Sequence, residues 1–368
     1  MLGLKPQTIS RCVHDVPVFN NAGKIESVLG VISVSLPAAV GDLCQIQNRD
    51  GKFFLAEVIG VAGQRADLMP LSPVENLQSG DEVISLNRTS QVPVGTGILG
   101  RVINAFGDPI DSLGPLTRVR RIKLQQNTPA ALSRGDIDQV FVTGQKAIDG
   151  LLTIGQGQRV GLFAGSGVGK STLLGQIARH ANADMNVVVL VGERGREVVP
   201  FVQQSLGREG MQKSVVVVAT ANESSLARVR SAETGMAIAD WFRLQGLNVL
   251  LMLDSLTRYA MAQRDLGLLL GEPPTARGYT PSVFQKIAVL LERMGNSDRG
   301  SVTGIITVLV EGDDMNDPIA DSARSILDGH IVLTRSLANA GHFPAIDVLN
   351  SNSRLFMELS DAPQQRSA

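Results

Sequence analysis

From about Gly144 onward, strand-like apolar runs alternate with helical stretches, and this alternation constrains the fold more than any other feature. "QRVGLFA" leads into "KSTLLGQIARHA", "NVVVLVG" into "EVVPFVQQSLG", "SVVVVAT" into "SLARVRSAETGMAIADWFRLQG" and "NVLLMLD" into "LTRYAMAQRDLGLLL"; "GSVTGIITVLV" and "GHIVLTR" follow. A strand that is apolar at successive positions has no face for water. Such strands, joined by helices, predict a parallel sheet covered on both sides, an α/β fold.

The first ninety residues have another texture. "KIESVLGVISVSL", "GDLCQIQN", "GKFFLAEVIGV", "ADLMPL" and "DEVISLN" are short runs rich in Val, Ile and Leu, punctuated by "NRDG" and "QSGD". Short strands at regular spacing with turn residues between them predict a small β-barrel. The connector "VPVGTGILGRVINAFGDPIDSLGPL" is rich in Gly and Pro and predicts little long helix. Only 4% of residues are aromatic, so both cores must be aliphatic.

Bulk properties exclude some classes of function. A formal net charge of -1 gives no general attraction to nucleic acid or to a membrane surface. Cys12 and Cys44 make no disulfide scaffold and point to a reducing compartment. The opening "MLGLKPQTISRCVHDVPVF" lacks the apolar core of a signal peptide. No run reaches the ~18 uncharged apolar residues of a membrane span. The expected location is the cytoplasm.

"GLFAGSGVGKST" ends a strand and opens a helix. Ala164 to Ser171 fits the phosphate-loop pattern, with Ala at the first position where Gly is commoner. Gly165, Gly167 and Gly169, with Ser166 and Val168 between them, let successive N–H groups face one point. That point is also a helix N-terminus, which favours an anion. Lys170 is placed to neutralise β/γ-phosphates, Ser171 to hold Mg²⁺ through its hydroxyl, and Thr172 continues the loop.

Two carboxylates close strand-like runs. Asp254 ends "NVLLMLD", where ligands bind in parallel sheets and where it can hold the hydration shell of Mg²⁺; the alternative is a helix N-cap for "SLTRYAMAQ". Glu193 ends "VVVLVGE" and is placed to orient or deprotonate the water that attacks a γ-phosphate. Arg194 beside it can hold that carboxylate or reach phosphate oxygens. The alternative is a solvated loop in which Glu193, Arg194, Arg196 and Glu197 pair among themselves.

The segments "GLFAGSGVGKSTLLGQIAR", "VGERGREV", "NVLLMLDSLTRYA", "GEPPTARGYTPSVF", "TVLVEGDDMNDPIADSARSILDGHIVLTR" and "GHFPAID" together resemble the flagellum-specific, type III protein-export ATPases, which are similar in turn to the catalytic subunits of rotary ATP synthases. The resemblance runs from about Lys24 to Arg354. It implies a β-barrel domain over 1–92, a RecA-like P-loop ATPase domain over 93–350, and a stub of a C-terminal helical domain over 351–368. It implies a homohexameric ring with ATP at subunit interfaces, and Mg²⁺-dependent hydrolysis that powers export, of flagellar components by the "DDMNDPIAD" stretch. Glu193 matches the family's catalytic glutamate, Arg194 the arginine beside it, and Asp254 the acid of the second nucleotide motif. Arg258 matches an arginine near the site. Phe343 stands where the family has an aromatic that packs on adenine, Phe here for the more usual Tyr; a place in the core is the alternative. Arg354 in "NSNSRLF" matches an arginine that reaches into the neighbouring subunit's site.

The resemblance also implies partners: export-apparatus membrane proteins, a stator-like regulatory subunit, and export chaperones with their substrates. It implies a peripheral position at the inner face of the cytoplasmic membrane. After Arg354 the sequence continues only as "LFMELSDAPQQRSA", where the family carries further helices, and "MLGLKPQTISR" is brief beside the family's N-terminal helix. Those partner contacts rest on the missing parts. A catalytically idle nucleotide-binding subunit is a competing reading, and the carboxylate at Glu193 argues against it. An ATP synthase subunit and a transcription terminator of the same fold are others; a terminator's RNA-binding domain needs aromatic and basic residues, in which the first ninety residues are poor.

Overall fold

The computed structural model describes residues 21–124, 134–310 and 317–368. The whole of "MLGLKPQTISRCVHDVPVF", with Cys12, and the whole of the "EGDDMN" stretch lie outside them. The chain divides into two compact units, one ending at Ser90 and one beginning at Gln91.

In the first unit six strands close into a barrel: β1 (Ala22–Leu29), β2 (Val31–Ser35), β3 (Asp42–Gln47), β4 (Phe53–Ala62), β5 (Arg65–Pro70) and β6 (Glu82–Thr89), in the order β1-β2-β5-β4-β3-β6. "KIESVLGVISVSL" is therefore a hairpin and not one strand, folded back at Gly30 so that Leu29 pairs with Val31. Ile25, Ile32, Val34, Ile46, Val58, Leu68 and Val83 fill the interior, the aliphatic core that a chain poor in aromatics requires. Each such side chain, fully buried, stabilises by roughly 1.5–3 kcal/mol before the entropy of ordering is subtracted.

The second unit is built on a nine-stranded sheet. Its strands are β7 (Val102–Asn104), β8 (Arg159–Ala164), β9 (Met185–Glu193), β10 (Ser214–Thr220), β11 (Asn248–Asp254), β12 (Ser301–Leu309), β13 (Gly329–Leu333) and β14 (Ile346–Ser353), in the order β14-β13-β8-β12-β11-β9-β10-β7, with Gly295–Asn296 paired beside β12. All neighbours along the path are parallel except β13 and β14. The edge strand β7 comes from the Gly/Pro-rich connector, which is too short in apolar residues to announce a strand by itself.

The continuous apolar runs are explained by β9, which is buried at every position. Val188 and Leu190 join the core under helix α1 (Lys170–His180), with Leu174 and Ile177. Val187 and Val189 face the other way, against Gly235 of helix α2 (Ser225–Leu244). Helices α3 (Leu256–Leu269) and α4 (Pro281–Glu292) complete the framework used below.

One buried ionic cluster ties α2 to the end of α4. Asp240 accepts from Arg243 at 2.8 Å and from Arg293 at 2.6 Å, and Arg243 also donates to the Arg293 carbonyl. Burial raises the Asp240 carboxyl above its usual range even though both guanidiniums oppose that shift. Truncating the acid leaves two buried cations without their counter-charge. Asp240→Ala is expected to lower unfolding free energy by about 3 kcal/mol, read from denaturant melts.

Candidate active site

The carboxyl-terminal ends of β8, β9 and β11 deliver three groups to one place. The loop after β8 carries the phosphate-binding pattern, and α1 begins immediately behind it with Gly169 in the left-handed conformation (φ 89°). No side chain caps that helix, so the N–H groups of its first turn are available to an anion. Gly165, Ser166, Gly167, Gly169, Lys170, Ser171 and Thr172 line a cleft of about 690 Å³. Val168 turns its side chain into the core beneath.

Lys170 and Asp254 meet across the strand between them. The Lys170 Nζ lies 2.5 Å from Asp254 Oδ1, although the two are 84 residues apart in sequence. The same oxygen accepts from the Thr307 hydroxyl on β12 at 2.7 Å. The N-cap of α3 is Ser255, not Asp254, so the helix-cap alternative for Asp254 falls to its neighbour.

Glu193 is buried, with 8% of its surface exposed. Its Oε1 lies 2.5 Å from Arg258 and 3.8 Å from Lys170. Gly192, with φ of 66°, precedes it at a shift in register between β9 and β10. A bulge of this kind re-aims the next side chain. Arg258 spans the bulge, donating to the Gly192 carbonyl at 2.9 Å while it pairs with Glu193. Burial, and then the charge of Asp254, raise the Glu193 carboxyl above its ordinary range; Arg258 and Lys170 act in the opposite direction.

The remaining candidates sit farther out. Arg194 lines the cleft but is exposed and pairs with Glu197 at 3.1 Å, so Arg258 and not Arg194 holds the Glu193 carboxylate. Phe343 is 62% exposed, which removes the core alternative, and its ring lies over Gly169. Arg354 is exposed just beyond β14, its guanidinium 3.5 Å from the Arg324 carbonyl, and it does not line its own subunit's cleft. No group of three or more His, Cys, Asp or Glu is placed to hold a metal ion among the described residues.

Residues 144–353 match the model of the ATP synthase alpha/beta family, nucleotide-binding domain. The flagellum-specific ATP synthase of Bacillus subtilis is 47% identical over 97% of this chain and 82% of its own length. The chain belongs to this family, among its protein-export ATPases. It is an ATP-hydrolysing enzyme. The type 3 secretion system ATPase of Xanthomonas euvesicatoria is 44% identical over 96% of this ATPase and 80% of its own length. The assembled ATPase EscN of the enteropathogenic E. coli type III secretion system superposes with a TM-score of 0.87 at 45% identity, covering 94% of this chain and 84% of that one. These relatives bear out the RecA-like expectation for the sheet and the ATPase expectation for the chain.

Thr307, the partner of Asp254, and Arg335 at the cleft wall were not legible in the sequence. Thr307 had one signal: a hydroxyl inside the apolar run "GIITVLV".

Proposed function

We propose that the cleft binds ATP with Mg²⁺ and that hydrolysis there drives type III export of flagellar components. The observation that carries this reading is the convergence of Asp254 and Glu193 within 4 Å of one ammonium, that of Lys170, at the mouth of the phosphate loop. Lys170 binds the β/γ-phosphates, exchanging Asp254 for them. The Ser171 hydroxyl and the Asp254 carboxylate are hard oxygen donors at the same end of the sheet, which suits Mg²⁺ held by few protein ligands and by the phosphates. Bound there, the ion supplies charge neutralisation to the phosphate oxygens. Glu193 holds the attacking water and takes its proton, and Arg258 fixes the carboxylate that does so. Phe343 offers a ring face to adenine, for which Phe serves as well as Tyr. Arg194 approaches the phosphates or the next subunit.

Arg354 lies outside its own cleft, which supports a homohexameric ring in which it completes a neighbour's site. The relative EscN is described as assembled, and also in complex with its central stalk EscO. By that likeness a stalk- or stator-like subunit, export-apparatus membrane proteins and chaperone–substrate complexes are the partners, with the enzyme peripheral at the inner face of the cytoplasmic membrane. No helix among the described residues is long and apolar enough to cross a membrane.

The test is turnover per protomer against protein concentration, with and without EDTA. Activity is expected to rise steeply as rings assemble and to vanish on chelation. A rate per protomer that stays flat across the assembly range would remove the shared site.

A further inference from the structure

The charges around the cleft are unevenly committed. Four cations line it: Lys170, Arg194, Arg258 and Arg335. Three are already held by acids: Lys170 by Asp254, Arg194 by Glu197 and Arg258 by Glu193. Arg335 pairs with no carboxylate among the described residues, and it is exposed. An arriving polyphosphate must compete with a carboxylate for each of the other three. For Arg335 it competes only with water.

Position narrows which part of the nucleotide this residue meets. Arg335 opens a short helix directly after β13, and the Thr334 N–H bonds to the Ala345 carbonyl at 3.0 Å. That bond closes the base of the segment that carries Phe343 over Gly169. Arg335 and Phe343 therefore approach the phosphate loop from the same segment. Asp254 and Glu193, which mark the end where the γ-phosphate reacts, stand on other strands.

We infer that Arg335 is the capture residue for the non-transferred phosphates of the nucleotide, a contact equal in ATP and ADP. The inference rests on the cleft being the nucleotide site. A contact present alike in ground state, transition state and product adds affinity without adding to the rate of the bound complex. Its removal raises KM and leaves kcat nearly as it was. Because the contact is to phosphate, a change of base does not alter its worth.

The experiment is calorimetric titration of the full chain with Mg²⁺ and ADP, GDP or the β,γ-imido analogue of ATP, beside steady-state kinetics. Arg335→Ala is expected to weaken all three ligands by about tenfold, the worth of one charge-assisted hydrogen bond. Arg335→Lys is expected to recover part of that loss. Arg299→Ala makes the same charge change at the opposite end of the sheet, before β12, and is expected to bind as the parent does. A loss confined to the ATP analogue would put Arg335 on the transferred phosphate and overturn the inference. Unchanged ADP affinity in Arg335→Ala, with binding lost in Lys170→Ala, would overturn it while the site reading stands. Unchanged binding in Lys170→Ala would overturn both.

Discussion

Replacing Glu193 by Gln is expected to leave nucleotide bound and to slow hydrolysis by roughly 10²–10⁴-fold, the range for removal of a general base. Gln keeps the volume and the hydrogen-bonding reach of the side chain but cannot take a proton. Single-turnover hydrolysis beside nucleotide binding checks this; a variant that binds normally and keeps most of its rate would remove Glu193 from the chemistry. The same substitution has an opposite effect on stability. The raised carboxyl pKa means that folding favours the protonated form, chiefly through burial. Its stabilising contribution is present below the unfolded-state pKa and is lost as pH rises through the folded-state value. At neutral pH the ionised Glu193 therefore costs the nucleotide-free protein stability. Glu193→Gln is expected to melt higher than the parent at pH 7.5, with the difference narrowing as the pH is lowered toward the carboxylate range. A base kept ready at the expense of stability is the usual bargain of an active site.

Replacing Arg354 by Ala is expected to lower turnover by about 10³-fold or more, the loss seen when an arginine finger is removed. The residue is not among those lining its own cleft, so under the proposed shared site the loss is expected to act on a neighbour. A mixture separates this from a folding defect. Glu193→Gln chains lack a base but carry the finger; Arg354→Ala chains lack the finger but carry the base. Mixed rings contain interfaces with one intact copy of each, and the mixture is expected to recover a measurable share of activity that neither variant shows alone. Mixing that restores nothing would place Arg354 outside the neighbour's site.

Several features of this site were readable because they are local. The phosphate loop is one contiguous stretch, and its function depends on backbone N–H groups whose direction the glycine pattern sets. The run "VVVLV" announces burial on both faces because helices cover both. Boundaries were less readable where a single glycine decides, as at the Gly30 hairpin. The connector strand β7 was not readable, since three residues take their strand character from pairing with β10.

The pairing of charges belongs to the tertiary structure. "GERGREV" displays two acids and two arginines side by side, and neighbouring charges suggest neighbouring pairs. One such pair, Arg194 with Glu197, does form. Glu193 instead turns inward at the Gly192 bulge and finds Arg258, from the first turn of another helix. That choice follows from strand order: β11 lies beside β9, so the helix leaving β11 overhangs the end of β9. Likewise β12 inserts between β8 and β11 and sets Thr307 against Asp254. The sequence alone singled out the candidates for phosphate-binding and acid–base chemistry, because residue type and local backbone suffice to nominate them. Which charge holds which, and that Arg335 is left uncommitted, was decided only when crossovers brought distant strands together, because ion pairing depends on distance through space and not along the chain.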